Sequence, residues 1–199
     1  MIPIKLNNNN PDFNEKYKEY NNIIACNDYT QLMCSKISCQ KIGQFERNTS
    51  YERNCIYIKE ESFSNFNEIT NLIIIETKII IIVLRCKACG KYHALLPTFI
   101  LPYHIYSAYF IIYALVAKLI RNKNIQILLL SLNISHKLFY YWIKIFNNYI
   151  NLATVVLKAN NNDPPSVLNL IISDFEEFLS NFYNQYFFIF FLNTDNHVF

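Results

Sequence analysis

Cys86-Lys-Ala-Cys89-Gly90 is the stretch with the clearest chemistry. Two cysteines separated by two residues can turn both thiolates towards one ion, and a glycine after the second permits the tight turn beneath it. Upstream stands a second pair, Cys34-Ser-Lys-Ile-Ser-Cys39, whose four-residue gap is still within the range of zinc ligands. Together they read as the two knuckles of a zinc ribbon, with zinc held by Cys34, Cys39, Cys86 and Cys89. Cys26 and Cys55 are spare and read as small buried hydrophobes, although Cys26 could replace Cys34. His93 is a substitute ligand by position, but a hydrogen-bonded structural histidine is the favoured reading. No feature supplies any cysteine with a base and an orienting partner, so no catalytic residue is expected and the chain does not read as an enzyme.

The knuckles need something to bring them together, because 46 residues lie between Cys39 and Cys86. The intervening sequence is β-tending. Gly43 to Arg53 reads as a turn and a polar hairpin, and Ile69 to Arg85 as Ile- and Val-rich strand ending on the second knuckle. Within it, Glu76-Thr-Lys78 is either a hairpin turn or a set of polar positions on one long strand. One ion then ties what a small core would hold only weakly. Residues 1–28, with Asn runs and alternating Lys and Glu, read as a weakly ordered leader with little to bury.

Composition is skewed: 27 Asn and 30 Ile stand against 8 Ala and 2 Gly, so single Asn or Ile residues carry little argument. Charge placement says more. The net charge of +3 divides into −2 over residues 1–77, +10 over 78–158 and −5 over 159–199. The middle block contains no Asp or Glu at all, the footprint of a surface that meets polyphosphate.

That basic block is also where helical patterning begins. Pro97 and Pro102 bracket an extended or turned linker, Thr98 to Leu101. Ser107 then opens an apolar helix through Ile120, closed by Arg121-Asn-Lys123, and a short helix is expected over Ile125–Leu132. Next come Asn133, suited to a left-handed turn, Ile134 as an apolar plug, and Ser135 as the cap of a further helix. Leu138, Phe139, Trp142, Ile143 and Phe146 recur at helical spacing and should pack inward. His136, Lys137, Tyr140, Tyr141 and Lys144 are left outside. A helix-turn-helix presents its recognition helix in this way, with Lys118, Arg121 and Lys123 as further phosphate contacts. An ordinary amphipathic helix of a bundle fits the same pattern, and the acid-free block tips the reading towards double-stranded DNA.

The stretches 'LRCKACGKYHALLPTFILPYHIYS' and 'LNISHKLFYYWIKIF' together resemble a bacterial family of unknown function, domain-of-unknown-function family 6431. Its members resemble the zinc-ribbon and helix-turn-helix front ends of insertion-sequence transposases. The resemblance runs over roughly residues 34 to 146 and implies zinc on the same four cysteines and DNA on the helix from Ser135. Its first knuckle is usually tighter and contains glycine, from which Cys34-x4-Cys39 departs.

The expected architecture is therefore α+β. A leader (1–28) and a β-rich zinc-ribbon-like domain (29–97) precede a helix-turn-helix bundle (98–158), with a C-terminal helix and apolar tail over 159–199. In the tail, Asp174, Glu176 and Glu177 read as a solvated helix face rather than a magnesium site. An apolar signal region is absent from the N-terminus, and neither Leu72–Leu84 nor Ile105–Ile120 is a clean stretch of ~20 apolar residues, so no membrane span is expected. Six cysteines without an export signal favour a reducing cytoplasm and metal binding over disulfides. Expected partners are DNA, with a second copy of the chain or a transposase as further ones. The function reads as sequence-specific DNA binding, transposon-associated or regulatory, against a degenerate transposase or a protein-interaction module.

Overall fold

The computed structural model describes residues 1–4, 6, 13–59, 72–101, 103–156 and 163–173. In chain order these form β1 (Ile2–Ile4), α1 (Phe13–Ala25), β2 (Phe45–Ile58), β3 (Ile74–Cys86), β4 (Tyr92–Pro97), α2 (Ala108–Leu119), α3 (Ile125–Leu132), α4 (His136–Val156) and α5 (Pro164–Ser173). The order is that of an α+β chain, β-rich first and helical afterwards.

Two long strands dominate the first half. β2 and β3 pair antiparallel from Phe45↔Cys86 to Ile58↔Ile74, with one irregularity between Arg47 and Thr49. The sheet order is β1-β4-β3-β2, with β1 parallel to β4 at its far edge. Glu76 and Lys78 are polar positions on one strand, not a turn; Lys78 pairs with Glu52 across the ladder at 3.0 Å. Likewise, the polar segment after Gly43 does not fold on itself as a hairpin. It runs straight to Ile58, because the Ile-rich β3 offers it a partner along its whole length.

Within residues 1–28, the described segments 1–4 and 13–25 form a strand and a helix, in place of the expected weakly ordered leader. β1 adds to the sheet edge, and α1 lies on the sheet through Phe13, Tyr20 and Ile24. The missed signal is an apolar stripe at Phe13, Tyr17, Tyr20 and Ile24, one helical face inside a polar-looking sequence. Phe13 stacks on Tyr57 with ring centroids 3.7 Å apart, and the Tyr20 hydroxyl donates to the Leu95 carbonyl at 3.0 Å. Burying these rings offsets the cost of ordering the segment.

The helices form a separate core. α2 is buried from Ala108 to Ala117, which makes it the central helix that α3, α4 and α5 surround. Its apolar run is therefore packed against protein, and no helix among the described residues is long and apolar enough to cross a membrane. Ser107 caps α2 by accepting from the Phe110 N–H at 3.2 Å. The linker ahead of it is packed rather than exposed: Phe99, Ile100 and Leu101 are buried, and Tyr106 forms a parallel bridge with Ile56 of β2. α5 starts the expected C-terminal helix, with Asp163 accepting from the Ser166 N–H at 2.9 Å. Asp174, Glu176, Glu177 and the closing apolar run lie outside the described residues.

Candidate metal centre and helical face

One register position closes the first site. Phe45 opens β2 and pairs with Cys86, the last residue of β3, so the segment just before β2 is laid beside the second knuckle. The first knuckle is itself a small antiparallel loop, held by the Met33↔Ile42 bridge and by the Cys34 N–H donating to the Lys41 carbonyl at 2.9 Å. The second is built the same way, with the Cys86 N–H donating to the Lys91 carbonyl at 2.9 Å.

The structure brings Cys34, Cys39, Cys86 and Cys89 together, with all four sulfurs within 4.8 Å of one another. Cys34 Sγ lies 3.7 Å from Cys89 Sγ, and Cys39 Sγ lies 3.8 Å from Cys86 Sγ. These distances are far too long for disulfides, whose S–S length is ~2.05 Å. They match a sulfur tetrahedron around a metal bonded at ~2.3 Å, whose edges are about 3.8 Å. Four thiolates in that arrangement suit zinc or iron. After the second cysteine of the looser first pair, Gln40 takes a left-handed backbone, as Gly90 does in the second knuckle.

The four thiols are not equivalent before metal binding. Burial pushes the Cys34 thiol up to about 12, whereas the Lys91 backbone N–H pulls Cys89 down to about 7. His93 is buried beside them, its Nε2 3.3 Å from Cys34 Sγ and its Nδ1 3.1 Å from Ser35 Oγ. Burial lowers its pKa to about 4 beside the Cys34 thiol, which favours the uncharged ring with a single N–H. Opposite a Cys34 thiolate, that N–H belongs on Nε2, and Nδ1 accepts from the Ser35 hydroxyl. His93 is thus a neighbour of a candidate ligand. The Ser35 contact had no sequence signal beyond its place inside the knuckle. Cys26 is exposed and outside the group, and Cys55 is buried in β2.

The second candidate surface lies on α4. Asn133 is left-handed (φ 50°, ψ 45°) and ends α3 with its N–H on the Leu129 and Leu130 carbonyls. Ile134 is buried, and Ser135 Oγ accepts from the Leu138 N–H at 3.2 Å. Phe139, Trp142 and Phe146 are buried, with Leu138 and Ile143 packed against the same core. His136, Lys137, Tyr140, Tyr141 and Lys144 are exposed on the other side. Of the flanking cations, Lys123 is exposed. Lys118 is half-buried and donates to Asn122 Oδ1 and the Lys123 carbonyl, while Arg121 is half-buried with its pKa lowered by burial.

Two residues outside the helical pattern join this face. His104 of the linker stacks on Tyr141 at 6.4 Å between centroids, and Arg53 of β2 donates to the Leu101 and His104 carbonyls. Tyr106 lies edge-on to Trp142 at 5.2 Å while its neighbours Ile105 and Ser107 bond to Ile56. The β2 end and the start of α4 are thereby one packed unit.

No curated protein and no solved structure matches the chain. Residues 69–127, which run from β3 through the second cysteine pair and α2 to the start of α3 but include neither the first pair nor α4, match the family model described as Domain of unknown function (DUF6431).

Proposed function

We propose that the chain is a non-catalytic, zinc-binding protein that recognises double-stranded DNA in a sequence-dependent way, in a transposon-associated or regulatory role. The observation that carries the reading is the exposed side of α4. It begins three residues after a left-handed asparagine and presents His136, Lys137, Tyr140, Tyr141 and Lys144, with no carboxylate between Thr77 and Asn162. α2, α3 and α4 then act as a helix-turn-helix unit, α4 entering the major groove and the first two exposed turns reaching base edges. Zinc ties the ribbon that supports this unit, and its four thiolates would be supplied by Cys34, Cys39, Cys86 and Cys89.

Fluorescence anisotropy tests the reading, on a site selected from random duplexes and on a scrambled duplex, across a salt series. Tight binding to the selected site that weakens steeply with salt is expected. Wild-type protein with no salt-dependent binding to either duplex would sink it. An interaction-module reading would then lead, favoured by Ile127 and Leu130, which are 69% and 81% exposed on α3. Metal analysis gives the companion test: about one equivalent of zinc per chain is expected, and iron in its place would show as a coloured protein.

A further inference from the structure

The cations of the β2–β3 ribbon are distributed unevenly. On the strands two of them are matched across the ladder, Lys78 with Glu52 at 3.0 Å and Arg85 with Glu46 at 3.5 Å, and Arg53 donates to the Leu101 and His104 carbonyls. At the knuckle end they are not. Residues 29–45 and 86–97, which build the two knuckles, contain no acidic residue. Lys36, Lys41, Lys87 and Lys91 are exposed there, and none has an ion-pair partner among the described residues.

Their placement follows from the knuckle architecture. Lys41 and Lys91 are counterparts: each follows a left-handed residue, Gln40 or Gly90, and each carbonyl accepts from the first cysteine of its own pair. Lys87 is tied to the first knuckle through its N–H on the Gln44 carbonyl at 2.7 Å. Lys36 sits inside the first knuckle, whose N–H faces Cys34 sulfur. Four ammonium groups therefore rim one end of the ribbon.

The other end of the ribbon holds α4, through the Ile56↔Tyr106 bridge and the Tyr106–Trp142 ring contact. From Phe45 to Ile56 is eleven steps of strand, about 36 Å at ~3.3 Å per step. One turn of B-DNA is ~34–36 Å.

We propose that the knuckle lysines are a second DNA contact, gripping backbone phosphates about one helical turn from the groove that α4 occupies. The ribbon is then a spacer of fixed length, and the metal positions the phosphate grip rather than only stabilising the fold. This rests on the DNA reading of α4. The lysines have one competing use, to offset the negative charge that four thiolates leave on a divalent ion.

The test compares two duplexes carrying the same selected site, one trimmed to about 12 base pairs and one extended by about one helical turn on each side. Metal-loaded wild-type protein should bind the extended duplex at least about tenfold more tightly, with a steeper salt dependence. The fourfold Lys36, Lys41, Lys87 and Lys91→Gln variant should lose that advantage and change less than about twofold on the trimmed duplex. Should it not fold, the pairs Lys36/Lys41→Gln and Lys87/Lys91→Gln carry the same test. Equal wild-type affinity for both duplexes overturns the second contact and leaves the α4 reading standing. A variant that loses zinc readily but, once loaded, keeps the extended-duplex advantage also overturns it and assigns the lysines to the thiolate charge. Absence of wild-type binding to both duplexes removes the α4 reading and this one with it.

Discussion

Gln40 and Gly90 occupy equivalent positions in the two knuckles, each directly after the second cysteine of its pair and each with a left-handed backbone, φ 47° and 72°. Only glycine adopts that conformation without a steric cost from Cβ, about 1–2 kcal/mol. Gln40→Gly should therefore stabilise the metal-loaded protein by about 0.5–1 kcal/mol after the extra chain entropy of glycine is counted. Gly90→Ala should cost about 1 kcal/mol from the backbone alone, since its new Cβ would meet nothing within 4 Å. Gly43→Ala should cost more, because its Cβ would stand 2.9 Å from the Thr30 carbonyl oxygen. Chemical denaturation of the three variants at fixed zinc gives the ranking; a destabilised Gln40→Gly protein would contradict it.

Metal removal is the second expectation. Cys86→Ser should bring zinc content from about one equivalent to near zero and unfold the ribbon, because the ion's binding energy is part of its folding energy. Cys34→Ser should do the same, since Cys26 is exposed and outside the sulfur cluster. A Cys34→Ser protein that keeps its metal would point to His93 as a stand-in ligand. Stable wild-type protein free of metal would refute the site.

His93 should matter to the metal without binding it. Loss of its N–H opposite Cys34 leaves that thiolate less well held, and such neighbours are typically worth about 10–100-fold in metal affinity. His93→Ala should show a loss in that range in competition with a chromogenic chelator, and Ser35→Ala a smaller one. Unchanged zinc affinity in His93→Ala would make the histidine a packing residue only.

On α4, two groups of side chains should respond differently. Lys144→Ala should weaken binding to every duplex and reduce the salt slope by about one unit. Lys137→Ala or Tyr141→Ala should lose roughly 1–3 kcal/mol on the selected site and little on scrambled DNA. Anisotropy titrations on both duplexes separate the two patterns, and a uniform loss in all three variants would deny base readout to α4.

Trp142 is 1% exposed, faces Tyr106 and Phe110, and its indole Nε1 has no hydrogen-bond partner among the described residues. Trp142→Ala should destabilise the protein by roughly 3–5 kcal/mol. Trp142→Phe should cost well under half of that, since it also removes a buried N–H without an acceptor among the described residues. Thermal unfolding followed by far-ultraviolet circular dichroism reads both.

Local features were written into the sequence. The Ser107 cap, the ends of α3, the left-handed Asn133, the buried Ile134 and the inward set of Phe139, Trp142 and Phe146 all follow from short-range rules of capping and helical period. The cysteine spacing likewise pointed to a shared ion. The α1 stripe was legible too, but its polar surroundings hid it; only the sheet that Phe13 and Tyr20 rest on reveals why it is ordered. Long-range relationships were not written there. A strand pattern states which residues face a core but not which residue of a distant strand lies opposite, so the Phe45↔Cys86 register that closes the sulfur cluster could not be read from spacing. The same holds for His93 beside Cys34 and for Arg53 holding the His104 carbonyl. Each depends on a contact between elements far apart in the chain, and packing rather than local preference decides those.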